Sequence, residues 1–234
     1  MYTASAEYYD LIYSQFKDYA AEVAQLTDLI RRINPAATSV LDVACGTGEH
    51  ARRLTAQGFS VDGLDLDPAF LAIARRKNPG VRLFEGDLSD FHLPRRYDAV
   101  LCLFSSIGYM KTLDRVTAAL RCFSEHLAPG GVVVVEPWFP PGGLDAMRVT
   151  TNIGEANGVR VSRTARAEIV GRLSRLFFDY EITDAAGTRH ASEMHELGLF
   201  TVEEQLDAFR DAGLGVEHDP KGLMDRGLFV ATPR

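Results

Sequence analysis

The chain predicts an α/β fold, a largely parallel sheet with an antiparallel β insertion placed late in the sequence. Three observations carry that expectation. Short β-rich runs alternate with helical periodicity through the first 137 residues, the arrangement that yields parallel strands joined by crossover helices. The first of these runs breaks into a glycine turn, Cys45-Gly46-Thr47-Gly48. Beyond Pro140-Pro141-Gly142-Gly143 the helical crossovers stop and a period of two takes over.

In order, residues 18–33 set Tyr19, Val23, Leu26, Leu29 and Ile33 at helical spacing. Strands are expected at 39–44, 60–66, 81–85, 97–104 and 132–137, with helices around 69–77 and 114–127 between them. Residues 159–184 and 188–200 alternate like antiparallel strands, bounded by the turns Ala156-Asn157-Gly158 and Asp184-Ala185-Ala186-Gly187. Helix returns at 203–212, Gly213 stops it, and 227–231 supplies a last apolar strand.

With 234 residues, 46% of them hydrophobic, the chain is sized for one domain over 1–234. Within it we expect a helical cap at 1–37, a ligand-binding core at 38–140, the inserted β region at 146–200, and a final helix and strand at 201–234. Cys45, Cys102 and Cys122 lack the spacing of a zinc site or a disulfide framework, so reduced thiols and no metal are expected. The N-terminus has no basic leader and no apolar run reaches the roughly 18 residues of a membrane span. A cytoplasmic protein without a membrane partner follows. A net charge of −7 offers no broad footprint for a nucleic acid polymer.

The run Val40-Leu41-Asp42-Val43-Ala44-Cys45-Gly46-Thr47-Gly48 reads as a buried strand feeding a turn where backbone can approach a ligand and a helix N-terminus attracts an anion. Gly46, Gly48 and Ala51 also fit a relaxed dinucleotide pattern, which keeps an NAD-dependent oxidoreductase in view. Asp65, ending the second strand, suits a ribose diol in either class. Asp87, after the third strand, stands where an adenine amino group could donate to it, with Leu66 and Leu88 flanking the base.

Together with Leu127-Ala128-Pro129-Gly130-Gly131, this succession resembles the class I S-adenosylmethionine-dependent methyltransferases and implies their Rossmann-like sheet. The resemblance implies that Ala44, Gly46 and Gly48 approach the methionine part, Asp42 helps hold its amino group, Asp65 takes the ribose and Asp87 the adenine, with Tyr19 and Leu103 completing the cofactor site. Such a cofactor carries no diphosphate, so the turn would face an amino-acid carboxylate.

A narrower likeness runs almost end to end. Tyr9-Asp10-Leu11-Ile12-Tyr13, Lys17-Asp18-Tyr19, Phe104-Ser105-Ser106-Ile107-Gly108-Tyr109, Glu136-Pro137-Trp138, Arg189-His190 and Arg226-Gly227-Leu228-Phe229-Val230 resemble the N,N-dimethyltransferases of nucleotide-linked amino sugars, of the desosamine and mycaminose type. The likeness implies a dTDP-linked amino-deoxysugar as acceptor, two methyl transfers to one amine, a place in antibiotic biosynthesis and a homodimer. Relative to that pattern the segment between Tyr13 and Lys17 is a residue shorter, and Trp138-Phe139 replaces a longer aromatic run. A methyltransferase of another small metabolite is the alternative.

Methyl transfer needs a neutral amine held in line, so positioning and proton removal matter more than a nucleophilic side chain. Tyr13 and Tyr109 are the phenols expected beside the reacting groups, and His195 or His190 could take a proton. Ser105, Ser106, Trp138 and Phe139 are expected around the acceptor, and Arg226 on its phosphates through its planar donor fork. The arginines of the insertion, Arg163 among them, read as a solvated face.

Overall fold

The computed structural model describes residues 5–234, so the first four residues of the expected cap lie outside the described residues. In chain order the elements are α1 (Tyr9–Tyr13), α2 (Tyr19–Ile33), β1 (Ser39–Val43), α3 (Glu49–Ala56), β2 (Ser60–Asp65), α4 (Pro68–Lys77), β3 (Arg82–Glu85), β4 (Tyr97–Cys102), α5 (Leu113–Glu125) and β5 (Leu127–Val135). Then follow β6 (Thr150–Ala156), β7 (Val159–Val170), β8 (Leu173–Asp184), β9 (Gly187–Gly198), α6 (Val202–Asp211), β10 (Leu214–Asp219) and β11 (Leu228–Pro233).

Seven strands form one sheet in the order β10-β11-β5-β4-β1-β2-β3. The pairings from β3 to β5 are parallel, whereas β11 runs antiparallel to both β5 and β10. Every residue of β1, and Val132 to Val135 of β5, is buried, as strands covered on both faces require. One apolar cluster carries Leu120 and Phe123 of α5 with Phe209 of α6; another carries Val23, Leu26 and Ile30 of α2 with Leu54 of α3. The helices start where the sequence supplies a cap: the Asp18 side chain accepts from the backbone of Ala20 and Ala21, and Thr201 and Glu204 form a reciprocal capping box.

The alternating elements fall where periodicity places them, with three differences. The alternating run 159–184 is a hairpin, because Gly171 (φ 61°) lets the chain reverse between Val170 and Leu173. Residues 150–156 add a further strand. Leu214–Asp219 forms β10, an edge strand whose half-polar sequence gives weak alternation. No helix among the described residues is long and apolar enough to cross a membrane.

The four strands β6 to β9 make a separate antiparallel meander. Its inner face, Val161, Phe178, Tyr180 and Ile182, closes on Ile12 of α1. Gly154 of β6 makes the approach possible: a Cβ there would lie 2.6 Å from the Leu11 carbonyl oxygen. Gly154→Ala should therefore lift α1 off the sheet and lower stability by about 1–3 kcal/mol, the usual cost of overpacking. Thermal unfolding checks this, at roughly 2–4 °C per kcal/mol for a chain of this size.

Candidate functional site

Strand order reverses between β1 and β4, and a crevice opens beyond their C-terminal ends. Asp42, Ala44 to Thr47, Leu103, Phe104 and Ser106 form its floor and walls, and Tyr9 of α1, Tyr19 of α2 and Lys17 between the two helices close it. The backbone bends sharply there. Ala44 (φ 57°), Phe104 (φ 52°) and Ser105 (φ 63°) are left-handed without being glycine, a strain that recurs at ligand sites. Gly48 (φ 77°) begins α3, where a Cβ would meet Asn78 Nδ2 at 2.5 Å.

Two aspartates flank the turn in different ways. Asp65 Oδ2 accepts the Gly46 N–H at 2.7 Å and Oδ1 the Asp67 N–H at 2.9 Å, so its carboxylate braces the glycine turn from the end of β2. Burial raises its pKa and the backbone donors work against that. Asp42 has no such support: its Oδ2 is buried without a hydrogen-bond partner among the described residues. Burial pushes its carboxyl up to about 6, with Asp65 adding to the rise and His50 opposing it. A buried acceptor beside a crevice suits a cationic donor on a ligand.

Asp87 stands at the far end, after β3. Its Oδ1 accepts from the Ser89 backbone and hydroxyl, and its Oδ2 pairs with Arg115 at 2.7 Å. Burial tends to raise this carboxyl, but those bonds outweigh it and hold it low. Leu66 is 53% exposed while Leu88 is buried, so one offers an open apolar surface and the other backs it from the core.

Above the crevice, Lys17 is buried and gives both Glu22 oxygens 2.6 Å contacts, while His50 Nε2 reaches Glu22 Oε2 at 2.9 Å. The ammonium also lies 4.3 Å from the Phe104 ring centroid. Burial lowers the Lys17 pKa, and Glu22 resists. A second clasp ties α1 down: Asp10 accepts from Thr47 and Lys77 at 2.5 Å each, and Lys77 also meets Glu49 at 2.6 Å.

Of the residues expected around the acceptor, Tyr13 and Arg226 both contact the Phe104 ring. Tyr13 packs against Tyr9 and Phe104, at 4.3 and 5.0 Å between centroids, and Arg163 lies over its ring at 4.8 Å. Arg163 is thus buried rather than on the solvated face expected for it, because its guanidinium lies between the Tyr13 and Phe178 rings and donates to Asn152. Arg226 is 3.1 Å from the buried Glu136, whose other oxygen accepts the Phe104 N–H at 2.7 Å. Ser105 donates to the Pro137 carbonyl at 2.6 Å, while Ser106 faces the crevice. Trp138 Nε1 donates to Ser174, and its ring packs on Phe139. The Tyr109 hydroxyl reaches His195 Nδ1 at 3.1 Å; His190, by contrast, is exposed on β9.

Glu22, His50 and Glu136 had no role assigned from the sequence. A signal was present for Glu22, which is buried one position before Val23 on the apolar face of α2. The others act across elements distant in sequence. No group of three or more metal-ligating side chains occurs among the described residues.

A methyltransferase-domain family model matches residues 40–131. Across 97% of this chain and 90% of the relative, the sequence is 44% identical to the dTDP-3-amino-3,6-dideoxy-alpha-D-glucopyranose N,N-dimethyltransferase of Streptomyces fradiae. The fold matches Streptomyces venezuelae DesVI with a TM-score of 0.93 at 42% identity over 98% of each chain. It also matches SAM-bound CalS10, an amino pentose methyltransferase from Micromonospora echinaspora, with a TM-score of 0.84 at 41% identity over 94% of this chain and 93% of that one.

The raised Asp42 pKa has a stability consequence. Between the ordinary aspartate value of 3.8 and about 6, the folded chain keeps a proton that the unfolded chain has released. Stability therefore falls as pH rises through that window, and the full cost is present at pH 7. Asp42→Asn should remove it, making the ligand-free protein more stable at pH 7 by on the order of 3 kcal/mol, with little difference near pH 4. Denaturant unfolding at the two pH values provides the comparison.

Proposed function

The chain belongs to the dTDP-amino-sugar N,N-dimethyltransferases, within the S-adenosylmethionine-dependent methyltransferases, and from that premise we propose that it dimethylates the 3-amine of a dTDP-linked amino-deoxyhexose. The observation that carries the amino-sugar part of this reading is the reach of the likeness. The 97% coverage takes in the N-terminal helices and the four-stranded sheet, well outside the general methyltransferase core at 40–131. The N-terminal segment closes the crevice, and the four-stranded sheet packs on its first helix.

The residues present fit the cofactor. S-adenosylmethionine supplies an electrophilic methyl carbon on a sulfonium centre, which has a good leaving group and needs chiefly alignment. Asp42, with its unmatched buried oxygen, would take the amino group, and the turn from Ala44 to Gly48 would follow the methionine part. Asp65 would offer the remaining lone pairs of its two oxygens to the ribose diol, and Asp87 would accept from the adenine between Leu66 and Leu88. Tyr19 and Leu103 would enclose the cofactor from either side.

On the acceptor side, Arg226 would hold the diphosphate while Glu136 fixes its fork, and Trp138 and Phe139 would cover the sugar. Tyr13, held by rings on several sides, would keep the amine in line rather than exchange its proton. The homodimer is proposed to form on the four-stranded sheet, where Ile153 and Met194 are exposed; light scattering on a sizing column decides it.

Mass spectrometry of enzyme with cofactor and a panel of 3-amino and 4-amino dTDP-sugars tests the function. The 3-amino substrates should gain one methyl and then a second on nitrogen. A product stalled at one methyl, or methylated on oxygen, contradicts the proposal. Arg226→Ala should raise the KM for the sugar nucleotide by about 10–100-fold, the worth of a charge-assisted pair, with cofactor affinity nearly unchanged. Equal losses for both ligands would assign Arg226 to packing.

A further inference from the structure

Lys17 and Arg226 reach the Phe104 ring from opposite ends of the chain. The Lys17 ammonium, in the segment between α1 and α2, lies 4.3 Å from the ring centroid, and the Arg226 guanidinium, in the loop between β10 and β11, lies 5.1 Å from it. One side chain joins them. Met224 Sδ accepts from Lys17 Nζ at 3.5 Å and from Arg226 Nη2 at 3.4 Å. Each cation also has its own buried carboxylate, Glu22 for Lys17 and Glu136 for Arg226, so what links the two pairs is contact rather than attraction between charges.

The loop that carries Met224 and Arg226 has a fixed shape. Gly222 (φ 62°), Asp225 (φ 56°) and Gly227 (φ 86°) are left-handed, and the loop closes on itself so tightly that a Cβ on Gly222 would run into the Gly227 backbone. Leu223 packs against the apolar cluster that contains Val23, Leu26 and Ile30 of α2. Arg226 meets Glu136, which follows β5 and whose other oxygen accepts the Phe104 N–H. The guanidinium therefore has two supports, Glu136 from the sheet and Met224 with Lys17 from the cap.

We propose that Lys17 and Met224 are positioning residues that make the cofactor and the sugar nucleotide bind with positive coupling, each raising the affinity of the other; this rests on the reading of Arg226 as the holder of the acceptor's diphosphate. Lys17 lines the cofactor crevice together with Tyr19 and His50, and it shares the Glu22 carboxylate with His50. A cofactor that fills the crevice fixes these side chains, and the fixed ammonium holds Met224 against Arg226. The guanidinium is then already ordered when the diphosphate arrives, so the second ligand gives up less side-chain freedom than the first. Linkage makes the effect equal in both directions. The enzyme thereby favours the complex that holds both reactants over either complex that holds one.

Calorimetric titration with dTDP, which carries the diphosphate but no amine, reads the coupling. Saturating S-adenosylhomocysteine should lower the dTDP Kd by about tenfold, and saturating dTDP should lower the S-adenosylhomocysteine Kd by the same factor. Met224→Ala should reduce that factor to about twofold or less, with the Kd of each ligand alone within about threefold of wild type. A packing role for Met224 would instead weaken dTDP binding equally with and without S-adenosylhomocysteine; an unchanged ratio of that kind overturns the proposal. Lys17→Met should lose the coupling as well, and if it does not fold, Met224→Ala still decides. Equal dTDP affinity of the wild type with and without S-adenosylhomocysteine overturns the coupling and leaves the acceptor reading intact. Arg226→Ala separates the two, because dTDP affinity unchanged by that variant removes the diphosphate reading and the coupling with it.

Discussion

The reversal of strand order between β1 and β4 is the constraint on which the site depends. Strands laid down on opposite sides of β1 send their crossovers to opposite faces, so no crossover helix covers the ends of the two central strands. Asp42 lies in that gap, one residue before the last of β1. Its carboxylate is removed from water by the same packing that makes the sheet stable, and one oxygen is left without a partner among the described residues. A core that buries such a group loses stability, and a ligand that brings an ammonium restores the missing interaction. The glycine turn, the left-handed Ala44 and the brace from Asp65 to Gly46 shape the rest of the gap around that one acceptor.

The N-terminal helices have a different role from the sheet. α1 is too short to hold itself, since an isolated turn of helix is marginal in water. It is fixed at both ends of its contact surface, by the Asp10–Lys77–Glu49 clasp on the core side and by Gly154 and Ile12 on the side of the four-stranded sheet. One element thereby links the glycine-turn side of the crevice to the four-stranded sheet, with the Tyr9 and Tyr13 rings packed together on it. Arg163 extends the link into β7, its guanidinium spanning the Tyr13 and Phe178 rings.

Much of this was legible in the sequence. Buried parallel strands give continuous apolar runs and crossover helices give a period of 3.6, so β1 to β5 and their helices could be placed. The glycine turn, Asp42, Asp65 and Asp87 stand at fixed offsets from strand ends, which makes their register readable. The hairpin at Gly171 was hidden because a lone glycine in an alternating run looks like a bulge as readily as a turn. β10 pairs only with β11 at an edge, and half-polar residues suffice there. The polar contacts that organise the site, Lys17 and His50 with Glu22 and Arg226 with Glu136, are mostly contacts between separate elements. Composition and periodicity say where such residues lie along the chain but not which partner each one meets.

The pH dependence of S-adenosylhomocysteine affinity tests most directly whether the buried Asp42 carboxylate receives the cofactor's amino group. Calorimetric titration of the wild type should show affinity rising as pH increases through about 6, where the carboxyl ionises. Asp42→Asn should bind at least tenfold more weakly at pH 7 and lose that rise. An Asp42→Asn protein that binds as the wild type does, with the same pH dependence, would contradict the account.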